Sequence, residues 1–283
     1  MRWTPGGRSR NIEDRRGRAV GMGGRGLPFG VGGLLIILVL SYLTGTNPLE
    51  LLGPMIDQVA VPSSPGGGIS PENLAKDEPL VEFMSFVLDD AQETWAKHLG
   101  SRYSEAQLVL FTDAVQSACG FGESATGPFY CPGDRKVYLD LGFFKELQNR
   151  FGAAGDFAQA YVLAHEIGHH VQTVTGTEGR VRQLQQQSPG DANQLSVRME
   201  LQADCYAGIW GNATARRDVL EQGDVEEALT AAASIGDDRL QRMQTGVVQP
   251  DRFTHGSSAQ RVEWFRRGLQ SGDPAACDTF NTR

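Results

Sequence analysis

Apolar positions along most of this chain recur with a helical period, and only two short stretches alternate like strands. From Pro79, a residue suited to a first helical turn, Leu80, Met84, Val87, Leu88, Ala91 and Trp95 fall on one face up to Gly100. The same period predicts helices over residues 143–151, 193–210, 225–243 and 258–269. Another runs from Phe157 through His170, capped by Asp156 and ending before Gly176. Strand character is confined to Gln107–Phe111 and Lys136–Asp140, the latter following a Pro-Gly turn at residues 131–134. Many helices with few strands predict an α+β, mainly helical domain with a small sheet.

Two segments break this pattern. Residues 27–43 carry no charge, which places them at the short end of a transmembrane span. Arginines precede them, so the positive-inside rule puts the N-terminus in the cytoplasm and the rest of the chain outside. A cleaved signal peptide competes with this reading, because residues 31–43 also have the length of a signal-peptide core. The absence of a small-residue cleavage site in residues 41–48 favours an uncleaved anchor. Residues 61–71 are rich in Gly, Ser and Pro and read as a linker. The expected organisation is a basic cytoplasmic tail over 1–26, one transmembrane helix over 27–45, a linker over 46–78 and an extracytoplasmic domain over 79–283. The expected location is therefore the cytoplasmic membrane, in a single pass.

Charge sharpens the picture. The first 26 residues hold Arg2, Arg8, Arg10, Arg15, Arg16, Arg18 and Arg25 against Glu13 and Asp14, whereas the whole chain is at -8. An acidic domain repels a phosphate backbone, so nucleic acid is not an expected partner, while the basic tail is suited to anionic membrane lipid. Four cysteines with no C-x-x-C pair argue against a zinc ribbon. The favoured pairing is Cys119 with Cys131, across a short Gly- and Pro-containing loop, and Cys205 with Cys277, tying the C-terminus to the core. Four buried thiols are the alternative.

The candidate chemistry centres on His165-Glu166-Ile167-Gly168-His169, inside the helix that starts near Phe157. Histidines at i and i+4 project from one helix face and reach a single zinc ion, and Glu166 stands beside that face as a candidate general base. A hydrolytic zinc site needs a third protein ligand and one open position. Glu200, on the helix predicted over 193–210, is a candidate for that ligand. Asp204, one turn further, is placed to hydrogen-bond the outer nitrogen of a ligand histidine. Alone, these two carboxylates would read as a solvated helix face. Beside the histidine pair, on a helix otherwise rich in Leu, Ala, Ile and Trp, they call for a partner such as a metal. His170 is turned about a hundred degrees from the ligand face and reads as structural, and His98 as a helix-end or surface residue. His255, in the polar loop that opens the last helix, is evenly balanced between a transition-state donor and a structural role. Lys136–Asp140 is a candidate strand edge for an extended peptide, or simply a cover for the metal helix.

At these residues the chain resembles the bacterial putative neutral zinc metallopeptidases. The likeness runs from Met1-Arg-Trp and residues 11–17 through Gly127-Pro-Phe-Tyr-Cys-Pro132, Ala164 to Gln172, Glu200 to Cys205 and Thr254-His-Gly-Ser257. It implies a zincin-like domain behind a single membrane span. The Glu-x-x-x-Asp segment is similar to that of gluzincins, which implies Glu200 as third ligand and Asp204 as its support. The spacing of His255 and Arg261 is similar to a segment of membrane-associated gluzincins and marks both as active-site candidates. The expectation is a membrane-anchored endopeptidase with one Zn2+, acting on a peptide or protein substrate. Hydrolysis of a non-peptide amide and a non-catalytic, zinc-stabilised binding or scaffold domain are its rivals. The oligomeric state is not legible.

Overall fold

The computed structural model describes residues 1–17 and 71–281. Residues 1–16 and 71–283 form one compact unit and residues 17–70 a second, which apart from Gly17 lies outside the described residues.

A four-stranded sheet has the order β1 (Ile12–Asp14), β2 (Gln107–Phe111), β6 (Lys136–Asp140), β5 (Phe129–Cys131). β1 and β6 both run parallel to β2, and β5 runs antiparallel to β6. Between β2 and β5 the chain makes a hairpin, β3 (Ala114–Ser117) with β4 (Gly120–Glu123). The predicted strands are β2 and β6. The others are three or four residues long, too short for alternation to stand out from a loop.

Helices make up the rest: α1 (Pro71–Lys76), α2 (Glu78–Leu99), α3 (Phe143–Asn149), α4 (Asp156–Val174), α5 (Thr177–Gln187), α6 (Ala192–Ala215), α7 (Asp224–Ser234), α8 (Asp237–Thr245) and α9 (Ser258–Ser271). The α2 face read from sequence is buried at Met84, Val87, Leu88, Ala91 and Trp95. α4 lies at the centre of the core, with Phe157, Tyr161, Ile167 and Val171 buried. Glycines set the helix approach. A Cβ on Gly168 of α4 would stand 2.9 Å from the Ala203 carbonyl oxygen of α6. On Gly268 of α9 it would overlap the Cys205 carbonyl, and on Gly208 that of Phe265. These three residues let α4, α6 and α9 meet backbone to backbone.

The single helix expected over 225–243 is two. The break falls at Gly236, whose backbone is extended and where Ser258 occupies the space a side chain would need. The break aims Asp237 at the loop before α9. There its Oδ2 accepts the backbone N–H groups of Thr254, His255 and Gly256 at 2.7, 2.6 and 3.1 Å. Asp156 opens α4 without capping it by side chain. With Asp224 it receives the Met1 amine instead, at 2.8 and 3.4 Å.

Both expected disulfides form. Cys119–Cys131 ties the β3–β4 turn to β5, and Cys205–Cys277 ties α6 to the C-terminal turn, with Cα separations of 5.7 and 5.6 Å.

The expected topology is corrected at the N-terminus. Residues 12–14, assigned from sequence to a cytoplasmic tail, are hydrogen-bonded as β1 to β2 of the domain assigned to the other side of a membrane. Paired strands lie about 4.8 Å apart, and a bilayer core is about 30 Å thick, so both lie on one side. Three of the described arginines find partners within the fold. Arg8 makes two hydrogen bonds to Glu78, Arg10 meets Glu105, and buried Arg16 holds Asp14. Among the described residues no helix is long and apolar enough to cross a membrane. The uncharged run 27–43 lies outside the described residues. The fold class is therefore a mainly helical α+β domain that incorporates its own N-terminal residues. A transmembrane helix preceding the domain, and the single-pass location built on it, are withdrawn.

Candidate metal centre

The helical geometry of α4 brings His165 and His169 one turn apart on the face that meets α6, and Glu200 of α6 faces both. His165 Nε2 lies 3.2 Å from His169 Nε2 and 3.2 Å from Glu200 Oε2, and His169 Nε2 lies 3.4 Å from Glu200 Oε1. Zinc at 2.0–2.1 Å from tetrahedral ligands implies donor atoms about 3.4 Å apart, so the spacing suits that ion.

The hydrogen bonds outside this triangle make the same point. Nδ1 of His165 lies 2.8 Å from Asp204 Oδ1, and Nδ1 of His169 lies 2.9 Å from Gln172 Oε1. Both partners are acceptors, so both Nδ1 atoms carry the hydrogen and both Nε2 atoms present lone pairs. With the rings neutral, two lone pairs and a carboxylate converge, which is a donor set for a cation.

Electrostatics agree. Burial alone would lower the pKa of His165, but the carboxylates of Asp204 and Glu200 outweigh it and hold the ring up to about 10. Glu200 stands well below the usual carboxylate range despite its burial, because His169 and His165 face it. Glu166, next to the ligands, is pushed up by burial. The negative surplus draws protons onto the rings, and a dication would take their place.

Asp204 is fully buried. Arg261 grips it through Nε to Oδ2 and Nη2 to Oδ1, both at 2.9 Å, and the Tyr161 hydroxyl donates to Oδ1 at 2.5 Å. Arg261 thus supports the support of His165. The close α6–α9 crossing at Gly208 and Gly268 brings it there.

His165, Glu166, His169, Glu200 and His255 all line one cavity of about 550 Å³. His255 reaches it on the loop that Asp237 organises, with its Nδ1 3.2 Å from Asp237 Oδ1. His98 is elsewhere, its ring against Trp95. His170 is buried and structural. Its Nε2 donates to the Ser104 carbonyl at 2.6 Å, and its Nδ1 accepts from the Tyr130 hydroxyl at 3.1 Å, pinning β5 to the metal helix. The strand along the cavity is β5 and not β6. Lys136–Asp140 is interior, between β2 and β5, while Phe129 and Tyr130 line the cavity.

Gln172, Tyr161, Gly168 and Asp237 escaped the sequence reading. Gln172 stands three residues past His169 on the same helix, a spacing that points it at that ring. Tyr161 stands four before His165, a comparable signal. Nothing in the chain marks Asp237, whose partners lie 17 to 19 residues away.

Over 288 aligned residues the chain is 47% identical to "Uncharacterized protein YpfJ" of Escherichia coli strain K12, covering 99% of each. It is 45% identical over 190 residues to "Uncharacterized protein Rv2575" of Mycobacterium tuberculosis strain H37Rv, covering 63% of this chain and 64% of that one. No solved structure matches it. Residues 1–280 match the family described as putative neutral zinc metallopeptidase, and the chain belongs to that family.

Proposed function

We propose that this protein is a zinc-dependent endopeptidase. The observation that carries the reading is the convergence of three protein donors, His165, His169 and Glu200, on the wall of an open cavity that Glu166 also lines. A structural zinc site closes all four positions with protein ligands, whereas a hydrolytic site has three and leaves one free. Zinc bound there would polarise the scissile carbonyl and lower the pKa of water.

The remaining work falls to the chain. Glu166, at the edge of the ligand face, takes the proton of the attacking water and delivers it to the departing nitrogen, so no covalent intermediate forms. β5 is at the edge of its sheet and offers backbone groups to an extended substrate. Phe143, Phe151, Val162, Ile235, Leu240 and Met243 also line the cavity and give it apolar surface suited to an apolar substrate side chain. The test is metal removal. Cleavage of an unfolded protein at neutral pH should cease after chelation and return when about one equivalent of zinc is restored. Cleavage that persists in metal-free protein would exclude the mechanism.

His255 is proposed as a donor to the oxyanion of the tetrahedral intermediate. The Asp237 hydrogen bond raises its pKa above that of free histidine, with Glu200 adding to the rise and Arg261 and burial opposing it. The ring therefore keeps its charge to higher pH. His255→Ala should lower kcat by about 10²-fold with KM little changed. Asp237→Asn removes the carboxylate charge that favours the protonated ring, so the alkaline limb of kcat should move to lower pH. A kcat within a few-fold of wild type in His255→Ala would leave His255 only its structural role.

A further inference from the structure

The two histidines are held by different means. Asp204, a buried carboxylate gripped by Arg261, accepts from His165. His169 has a neutral partner, the side-chain amide of Gln172, and an amide can face either way. What fixes it is a directional chain. Gln172 is fully buried, and its Nε2 donates to the Met199 carbonyl at 2.7 Å and to Gln202 Oε1 at 3.2 Å. Gln202, also buried, donates its own Nε2 to the Cys277 carbonyl at 3.0 Å. A backbone carbonyl only accepts, so Gln202 must turn its Nε2 to Cys277 and its Oε1 to Gln172. Gln172 then meets two acceptors with its Nε2 and has only Oε1 left for His169. A flipped Gln172 would set oxygen against two oxygens at a fully buried position. The chain starts at Cys277, whose side chain is bonded to Cys205 of α6, next to Asp204.

We propose that Gln172 is a positioning residue for His169, set through Gln202 and the Cys277 carbonyl, so that the Cys205–Cys277 disulfide governs how firmly the second histidine is presented to the metal. This rests on the zinc reading of the centre. Gln172 fixes the Nδ1–H tautomer and with it the lone pair on Nε2. The disulfide keeps the C-terminal turn, and so the Cys277 carbonyl, against Gln202.

The experiment measures zinc affinity of the full chain by chelator competition, together with the visible spectrum of the cobalt-loaded protein. Gln172→Met keeps length and bulk and deletes the acceptor. Affinity should fall about 10- to 100-fold, and the cobalt bands should shift, while the melting profile of metal-free protein shows the variant folded. Gln202→Met should show a smaller loss of the same kind. Cys277→Ser should weaken zinc in the wild-type background and add little in Gln202→Met, because the route is already cut. Wild-type affinity and an unchanged cobalt spectrum in folded Gln172→Met would overturn the positioning role. Equal losses from Cys277→Ser in both backgrounds would overturn the route through Gln202. Wild-type protein that binds no zinc would instead sink the metal reading itself, together with this proposal.

Discussion

Replacing Glu166 by glutamine should lower kcat for peptide hydrolysis by about two to four orders of magnitude, the contribution of a positioned general base. That is about 3–5 kcal/mol of transition-state stabilisation. The side chain lies in the wall of the cavity, one residue from His165, and is buried enough to stand above the usual carboxylate range. Glutamine has its shape and no basicity. Zinc affinity should therefore stay within a few-fold of wild type, since none of the three candidate donor atoms is altered. Stability should hold or rise, because the fold no longer has to desolvate a charge at this position. The measurement pairs turnover on an unfolded protein with bound-zinc stoichiometry in the same sample. Near-wild-type turnover in the zinc-loaded variant would remove Glu166 from the mechanism.

The second large effect is expected at Arg261. Asp204 has no solvent exposure and Arg261 is only 2% exposed, so their two hydrogen bonds are desolvated. Arg261→Met keeps the aliphatic bulk and leaves Asp204 a buried charge with His165 and Tyr161 as its remaining side-chain partners among the described residues. Breaking a buried pair in this way costs about 3–5 kcal/mol, a fall in melting temperature of about 10 °C for a domain of this size. Because Asp204 also holds His165, zinc affinity should fall with it, about 10- to 100-fold. Removing both partners, as Asp204→Leu with Arg261→Met, should recover part of the stability and none of the affinity. Full additivity of the two stability losses would show that the residues act independently. Unimpaired zinc binding in Arg261→Met would show that Asp204 needs no counter-charge to do its work.

How much of this was legible follows from the range of the forces involved. The metal ligands stand on two helices, and a helix repeats every 3.6 residues, so His165 with His169 and Glu200 with Asp204 could be read as pairs from spacing alone. The faces of α2 and α4 and strands β2 and β6 were readable for similar reasons, whereas the disulfide pairing was only favoured over its alternatives and was decided by the fold. The break between α7 and α8 was not. It falls at Gly236, which packs against Ser258 more than twenty residues away, and only in the folded chain does Asp237 become the organiser of the His255 loop. The charge asymmetry was visible too, but its meaning was not, because positive charge near an apolar run suits a lipid surface as well as it suits the acidic residues of its own domain.

The sequence by itself therefore determined the helical frame, the donor types and their spacing along each helix, because these depend on periodicity within one element. Only the tertiary structure decided which groups meet across elements. Gly168, Gly208 and Gly268 allow the close helix crossings that bring Asp204 to His165 and Arg261 to Asp204. β1 joins the sheet through backbone hydrogen bonds that no side-chain pattern of three residues announces. The direction of the Gln172 amide depends on a carbonyl more than a hundred residues away, a relation that exists only once the chain has closed on itself.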